Sequence, residues 1–177
     1  SDSGILKQVL ARIDQTRHGV LVVGKLRSRE ESEAAMRLAR ALNWPTLPDV
    51  ASGLRLGDIR APLVHYFDQI LLSERYRRLF RPQTILHLGG PITSKRYLRQ
   101  LETLPPANYI LVANHPQRED PAHRVTLRGE LEIAGFCGAI TPAVTRKGED
   151  AWLYAFRNAS MKVKEIVQQQ TEPVVVV

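Results

Sequence analysis

The sequence predicts an α/β fold: a Rossmann-like, doubly wound, mostly parallel sheet with helices on both faces. Three observations carry this. Short continuous apolar runs rich in β-branched residues (18–24, 84–88 and 109–113) read as strands covered on both sides. Amphipathic stretches of helical period lie between them. Each run ends in Gly or Asn, the turn chemistry that leads a buried strand into the helix covering it. The chain is 177 residues long, 44% hydrophobic and 24% charged, which suits one globular domain able to bury a core without staples.

Ile5, Leu6, Val9, Leu10 and Ile13 recur at helical spacing and predict an amphipathic helix over about 3–15. Residues 1–17 are set apart on this basis as a leading helix or linker. The first strand, 18–24, ends at Gly24. Ser28 stands three residues before Glu31, a capping-box pair that opens a helix to Leu42 with Ala35, Leu38, Ala39 and Leu42 inward. Trp44-Pro45-Thr46-Leu47-Pro48 is short and proline-punctuated, so it suits only an edge strand. After a polar loop from Asp49 to Pro62, Val64, Phe67, Ile70 and Leu71 make a helical face that continues, bent, to Leu79-Phe80.

The pattern then repeats. The strand 84–88 meets the turn Gly89-Gly90-Pro91, and Thr93 or Ser94 caps a helix carrying Tyr97, Leu98, Leu101 and Leu104. Pro105-Pro106 stops it, and the strand 109–113 ends at Asn114-His115-Pro116. A further strand is expected at 125–127, then a Gly/Thr/Pro-rich stretch at 135–148. Trp152, Phe156, Ala159, Val163 and Ile166 mark a final helix, residues 168–173 its frayed end, and 174–177 a strand-like tail. The expected organisation is therefore one α/β domain over 18–170 and a boundary tail over 171–177.

The net charge is +7, and of 25 basic residues only six are lysine (7, 25, 95, 147, 162 and 164), leaving 19 arginines. Guanidinium forks match planar carboxylates and phosphates, so this bias points to small anions or acidic surfaces. No basic run, zinc-finger spacing or aromatic–basic signature points to nucleic acid. The apolar runs are too short to span a bilayer, and Ser1-Asp2-Ser3-Gly4 lacks the features of a signal peptide. A single cysteine, Cys137, excludes an internal disulfide framework and is expected to be a buried, inert thiol. A cytoplasmic setting is expected.

In such sheets ligands sit at the carboxyl ends of the strands. The strongest candidate is therefore the segment from Leu88 through Gly89, Gly90, Thr93 and Ser94 to Lys95 and Arg96. Two glycines permit a sharp turn, hydroxyls cap a helix, and two cations occupy its first turn against the helix dipole. That combination suggests an anion shared between Lys95, Arg96 and the helix N-terminus. Gly24-Lys25-Leu26-Arg27-Ser28 is a weaker second turn of the same kind. The segment lacks the ending of a Walker loop, and no dinucleotide fingerprint follows any strand. The five histidines (18, 65, 87, 115 and 123) form no tight metal pair, and no serine nucleophile elbow occurs. No self-contained catalytic set emerges. The runner-up reading is a freestanding nucleotide-binding module.

Four segments in this order resemble one family: 19–24; Trp44-Pro45 with Asp49 and Ser52; Leu88-Gly89-Gly90 with Thr93-Ser94-Lys95-Arg96; and Arg118 with Asp120-Pro121 and His123. They are similar to the central domain of the MenD family, the SEPHCHC synthases, which depend on thiamine diphosphate and serve menaquinone and phylloquinone biosynthesis. The likeness covers roughly residues 17–135. It implies decarboxylation of 2-oxoglutarate and addition of the succinyl-semialdehyde unit to isochorismate. It also implies three α/β domains per chain and a homodimer or homotetramer. Thiamine diphosphate and Mg2+ or Mn2+ would be held by flanking domains. The family's diphosphate motif is missing, since Gly57-Asp58 is followed by Ile59 and no Asn-Asn pair occurs. No cofactor, metal or catalysis is thus expected of this segment alone. The family's lysine near the active site matches Lys95, so Thr93, Ser94, Lys95 and Arg96 are the expected substrate-binding residues. Asp49 and Ser52 are expected to brace the loop after the edge strand, and Asp120-Pro121 to shape a turn.

Overall fold

The computed structural model describes residues 2–54, 60–116, 120 and 122–171. Five parallel strands form one sheet in the order β2-β1-β3-β4-β5. They are β1 (Gly19–Val23), β2 (Thr46–Pro48), β3 (Thr84–Leu88), β4 (Asn108–Ala113) and β5 (Leu127–Glu130). The helices are α1 (Asp2–Gln15), α2 (Arg29–Leu42), α3 (Phe67–Ile70), α4 (Glu74–Leu79), α5 (Lys95–Thr103), α6 (Ile133–Ile140) and α7 (Asp150–Thr171). The doubly wound class is as the sequence predicts.

Alternation along the strands builds two cores. Leu21, Val23, Leu86, Leu88, Ile110 and Val112 face α1, α2 and α6, whose Val9, Ile13, Leu38, Leu42, Phe136 and Ile140 complete that layer. Val20, Val22, Ile85 and Tyr109 face Phe67, Ile70, Tyr97, Leu101, Trp152 and Phe156 from α3, α5 and α7. The leading helix α1 is thus packed against the sheet. Burying both faces explains why the strands read as unbroken apolar runs.

Several elements depart from expectation. The Gly/Thr/Pro-rich stretch overlaps α6, which is apolar on every side, carries Gly135 and Gly138, and is capped by Glu132 accepting from Ala134 and Gly135 N–H. Its lack of amphipathic period follows from burial against α2 and α1. The bent helix is two short ones, α3 and α4. The strand expected at 125–127 is the half-buried edge strand β5, which starts at Leu127 instead of Val125. Helix α7 continues through the expected frayed end to Thr171, and Ile166, expected inward, is 55% exposed because the helix has run past the sheet. The tail 174–177 lies outside the described residues.

Candidate functional site

The sheet order reverses direction between β1 and β3, so the loops after these strands flank the topological switch point. Backbone fills it. Gly24 N–H donates to the Leu88 carbonyl (2.9 Å), Gly90 N–H to the Lys25 carbonyl (3.0 Å), and Gly89 N–H to the Val112 carbonyl (2.9 Å). A Cβ on Gly24 would sit 1.8 Å from the Gly90 oxygen. Gly89 has φ +82°, and its Cβ would meet the Lys25 oxygen at 2.5 Å. These glycines therefore serve the approach of one turn to the other. Lys25 and Arg27 reach only a shallow depression beside Asn114 and His115.

The larger concavity, about 590 Å3, opens between the end of β2, α3 and the start of α5. Thr93, Ser94, Lys95 and Arg96 all line it, together with Asp49, Asp68 and Arg99. Asp49 ties down the loop that leads into α5. Its Oδ2 accepts from Thr93 N–H (2.9 Å) and Thr93 Oγ1 (2.8 Å), while Oδ1 accepts from Ala51 N–H (3.1 Å). Asp49 is 3% exposed, so its charge is stabilised by these donors. Ser52 Oγ donates to the Asp49 carbonyl (2.7 Å) and accepts from Leu54 N–H (3.2 Å), bracing the turn at Val50–Ser52.

Ser94 caps α5 by accepting from Tyr97 N–H (3.1 Å), and its hydroxyl donates to Asp68 Oδ1 (2.5 Å). Arg96 pairs with Asp68 Oδ2. Three of the four expected residues are thus engaged by internal carboxylates. Lys95 is different. It is exposed on the groove and has no ion pair or side-chain hydrogen bond among the described residues. Arg99, one helical turn on, lines the same groove without a side-chain partner there. Like charges at i and i+4 repel, and a cation in the first turn opposes the helix dipole. An anion between them relieves both. Arg99 is not among the residues expected above, although its i, i+4 spacing to Lys95 was a signal that could have found it; Asp68, 26 residues before Ser94, gave no local signal.

Behind the groove, β3, β4 and α5 share a buried polar chain. His87 Nε2 lies 2.7 Å from the Gly90 carbonyl, His87 Nδ1 2.6 Å from Tyr109 OH, and Tyr109 OH 3.0 Å from Tyr97 OH. Burial lowers the His87 pKa from 6.5 to about 4, the Gly90 hydrogen bond and the Asp49 charge opposing the shift. Burial also raises both tyrosines above their ordinary range.

The remaining expected residues fall elsewhere. Asp120 accepts from Arg124 and Val125 N–H (2.8 and 3.1 Å) and holds a turn in which His123 takes φ 51°. Arg118, Pro121 and the Gly57-Asp58 pair lie outside the described residues. No helix is long and apolar enough to cross a membrane among the described residues. Among the same residues no three His, Cys, Asp or Glu side chains converge as a metal site. Asp49 and Asp68, the carboxylates lining the groove, are both engaged by the segment 93–96, so among the described residues the groove presents no free carboxylate for a metal-bound diphosphate.

Comparison with known proteins agrees with the sequence resemblance. A 2-succinyl-5-enolpyruvyl-6-hydroxy-3-cyclohexene-1-carboxylate (SEPHCHC) synthase of Rubrobacter xylanophilus is 38% identical over 162 residues, covering 90% of this chain and 28% of that protein. The chloroplastic protein PHYLLO of Arabidopsis thaliana is 36% identical over 146 residues, 78% of this chain and 8% of that one. The chain thus spans under a third of the curated relatives it matches. An X-ray structure of a Mycobacterium smegmatis protein, described as a thiamin diphosphate-dependent enzyme, superposes with a TM-score of 0.51 over 84% of this chain and 29% of its own, at 19% identity. That likeness supports the fold. Finally, the family model described as the middle domain of thiamine pyrophosphate matches residues 5–175, and the chain belongs to that family, the middle domains of thiamine pyrophosphate enzymes.

Proposed function

We propose that this chain is the central domain of a SEPHCHC synthase, in which it orients a substrate carboxylate through Lys95. The parent reaction is the decarboxylation of 2-oxoglutarate and transfer of the succinyl-semialdehyde unit to isochorismate, on the way to menaquinone or phylloquinone. Thiamine diphosphate, with Mg2+ or Mn2+, supplies the decarboxylating chemistry from flanking domains of a cytoplasmic homodimer or homotetramer. The middle domain contributes binding. Both substrates are small carboxylates, and the groove at α5 offers Lys95, unpaired among the described residues, beside a second cation, Arg99.

One observation carries this reading: among the described residues Lys95 is unpaired in a groove where neighbouring Arg96, Ser94 and Thr93 are matched to Asp68 or Asp49. Thr93 and Ser94 set the helix head, Arg96 anchors Asp68, and Lys95 meets the substrate anion. A charge-assisted hydrogen bond of this kind fixes orientation as well as affinity. The freestanding nucleotide module fares worse, because the switch-point turns are hydrogen-bonded to each other where a dinucleotide would lie.

The test is Lys95→Ala in the complete protein. We expect the apparent KM for a carboxylate substrate to rise roughly tenfold, equivalent to ~1.4 kcal/mol. The affinity for thiamine diphosphate should be unchanged. An unchanged substrate KM would leave Lys95 a surface charge and sink the reading.

A further inference from the structure

The buried chain Tyr97–Tyr109–His87 has one consistent direction of donation. The Gly90 carbonyl can only accept, so His87 Nε2 carries the proton and Nδ1 is the acceptor. Tyr109 OH must then donate to Nδ1, which leaves its oxygen to accept from Tyr97 OH. All three side chains are at most 6% exposed. A buried polar network is costly unless every member is satisfied, and apolar residues would fill the same space without that constraint. Here every member is satisfied, so the question is what the chain holds.

It holds both ends of one segment. Its first member, Tyr97, is in the opening turn of α5, two residues beyond Lys95. Its last bond fixes Gly90, five residues before Lys95. The other polar group of Gly90, its N–H, is bound to the Lys25 carbonyl, so the peptide groups on both sides of its Cα are each held by a hydrogen bond. Pro91 follows, Ile92 is buried, and Thr93 and Ser94 are tied to Asp49 and Asp68. The hydrogen bonds close a ring from α5 through β4 and β3 to the Gly90 turn and back along the loop to α5. Among the described residues the side chain of Lys95 projects from it without an ion pair or side-chain hydrogen bond.

We propose that Tyr97, Tyr109 and His87 are positioning residues that fix segment 90–97 and so aim Lys95 at the substrate carboxylate. The proposal rests on the reading of Lys95 given above. None of the three touches substrate; they act through the backbone that carries the lysine.

Tyr109→Phe removes the central hydroxyl at nearly constant volume and breaks the ring at both of its side-chain links. In the complete protein we expect a three- to tenfold rise in substrate KM, with kcat and thiamine diphosphate affinity changed less than twofold. Amide hydrogen exchange over 89–96 should quicken while that of α7 is unaltered. In the Lys95→Ala background, adding Tyr109→Phe should raise KM less than twofold, because the aim of an absent lysine no longer matters. If the two fold-changes multiply instead, or if Tyr109→Phe leaves both KM and the exchange of 89–96 as they were, the positioning role is overturned. If Lys95→Ala alone has no effect on KM, the reading of Lys95 fails and this proposal falls with it. Should Tyr109→Phe not fold, Tyr97→Phe opens the ring at one hydroxyl only and is read by the same cycle.

Discussion

The His87 imidazole gives the fold a specific weakness in mild acid. Its pKa falls from 6.5 to about 4 on folding because burial excludes the charged form. Between these values the unfolded chain binds a proton at His87 that the folded chain refuses. The lowered folded pKa means that the associated stability is fully present above pH 6.5, is lost as pH falls, and stops changing below about pH 4. The slope approaches 1.4 kcal/mol per pH unit, so the loss at pH 5 is about 2 kcal/mol relative to pH 7.5, and about 3 kcal/mol once titration is complete. Urea unfolding of the chain at pH 7.5, 6.5, 5.5 and 5.0 measures this directly. His87→Gln and His87→Asn serve as references, since every other titrating group is common to all three proteins. Both variants should be less stable at pH 7.5, because Tyr109 OH or the Gly90 carbonyl loses a partner. Their stability should nonetheless fall less steeply with acid, narrowing the gap to the native chain by about 2 kcal/mol at pH 5. Parallel curves would refute the reasoning, since they would mean that His87 takes up its proton equally in both states.

Further outcomes follow from the same geometry. Gly24→Ala places a methyl 1.8 Å from the Gly90 oxygen and must push the two turns apart, costing at least about 2 kcal/mol in thermal or urea unfolding. The Cys137 thiol is 1% exposed and pushed up to about 12 by burial, with Glu132 adding to the shift. It should react with a disulfide reagent at pH 8 only at the rate of unfolding, and a fast burst at native conditions would contradict this. A thermal-shift panel of NAD(H) and FAD at millimolar concentration should leave the chain's Tm unchanged. A bound dinucleotide at 100 times its Kd would add ~2.7 kcal/mol, and a shift of that size would favour a nucleotide-binding module.

The sheet was legible because its strands are buried on both faces: 18–24, 84–88 and 109–113 are apolar without interruption, and β1, β3 and β4 occupy them. The edge position of β2 was legible from Pro45 and Pro48. Helix α6 was not, because Ile133–Ile140 has no polar face to set a period and its cap is a glutamate two residues beyond a strand. Ile166 kept the apolar spacing of α7, yet periodicity says nothing about where a helix leaves the body it packs on. At the groove, Thr93, Ser94, Lys95 and Arg96 announced themselves by two cations in a first turn after two glycines. What the sequence withheld was their partners. Asp49 and Asp68 reach Thr93 and Ser94 from 44 and 26 residues away, and only tertiary structure decides that Arg96 is answered while Lys95 has no partner among the described residues.

The most direct test is a crystal structure of the complete protein with a carboxylate substrate or its analogue bound. The account expects a carboxylate oxygen about 2.7–3.2 Å from Lys95 Nζ, with Arg99 alongside and Asp68 still paired to Arg96. A substrate carboxylate held elsewhere, with Lys95 left in solvent, would contradict it.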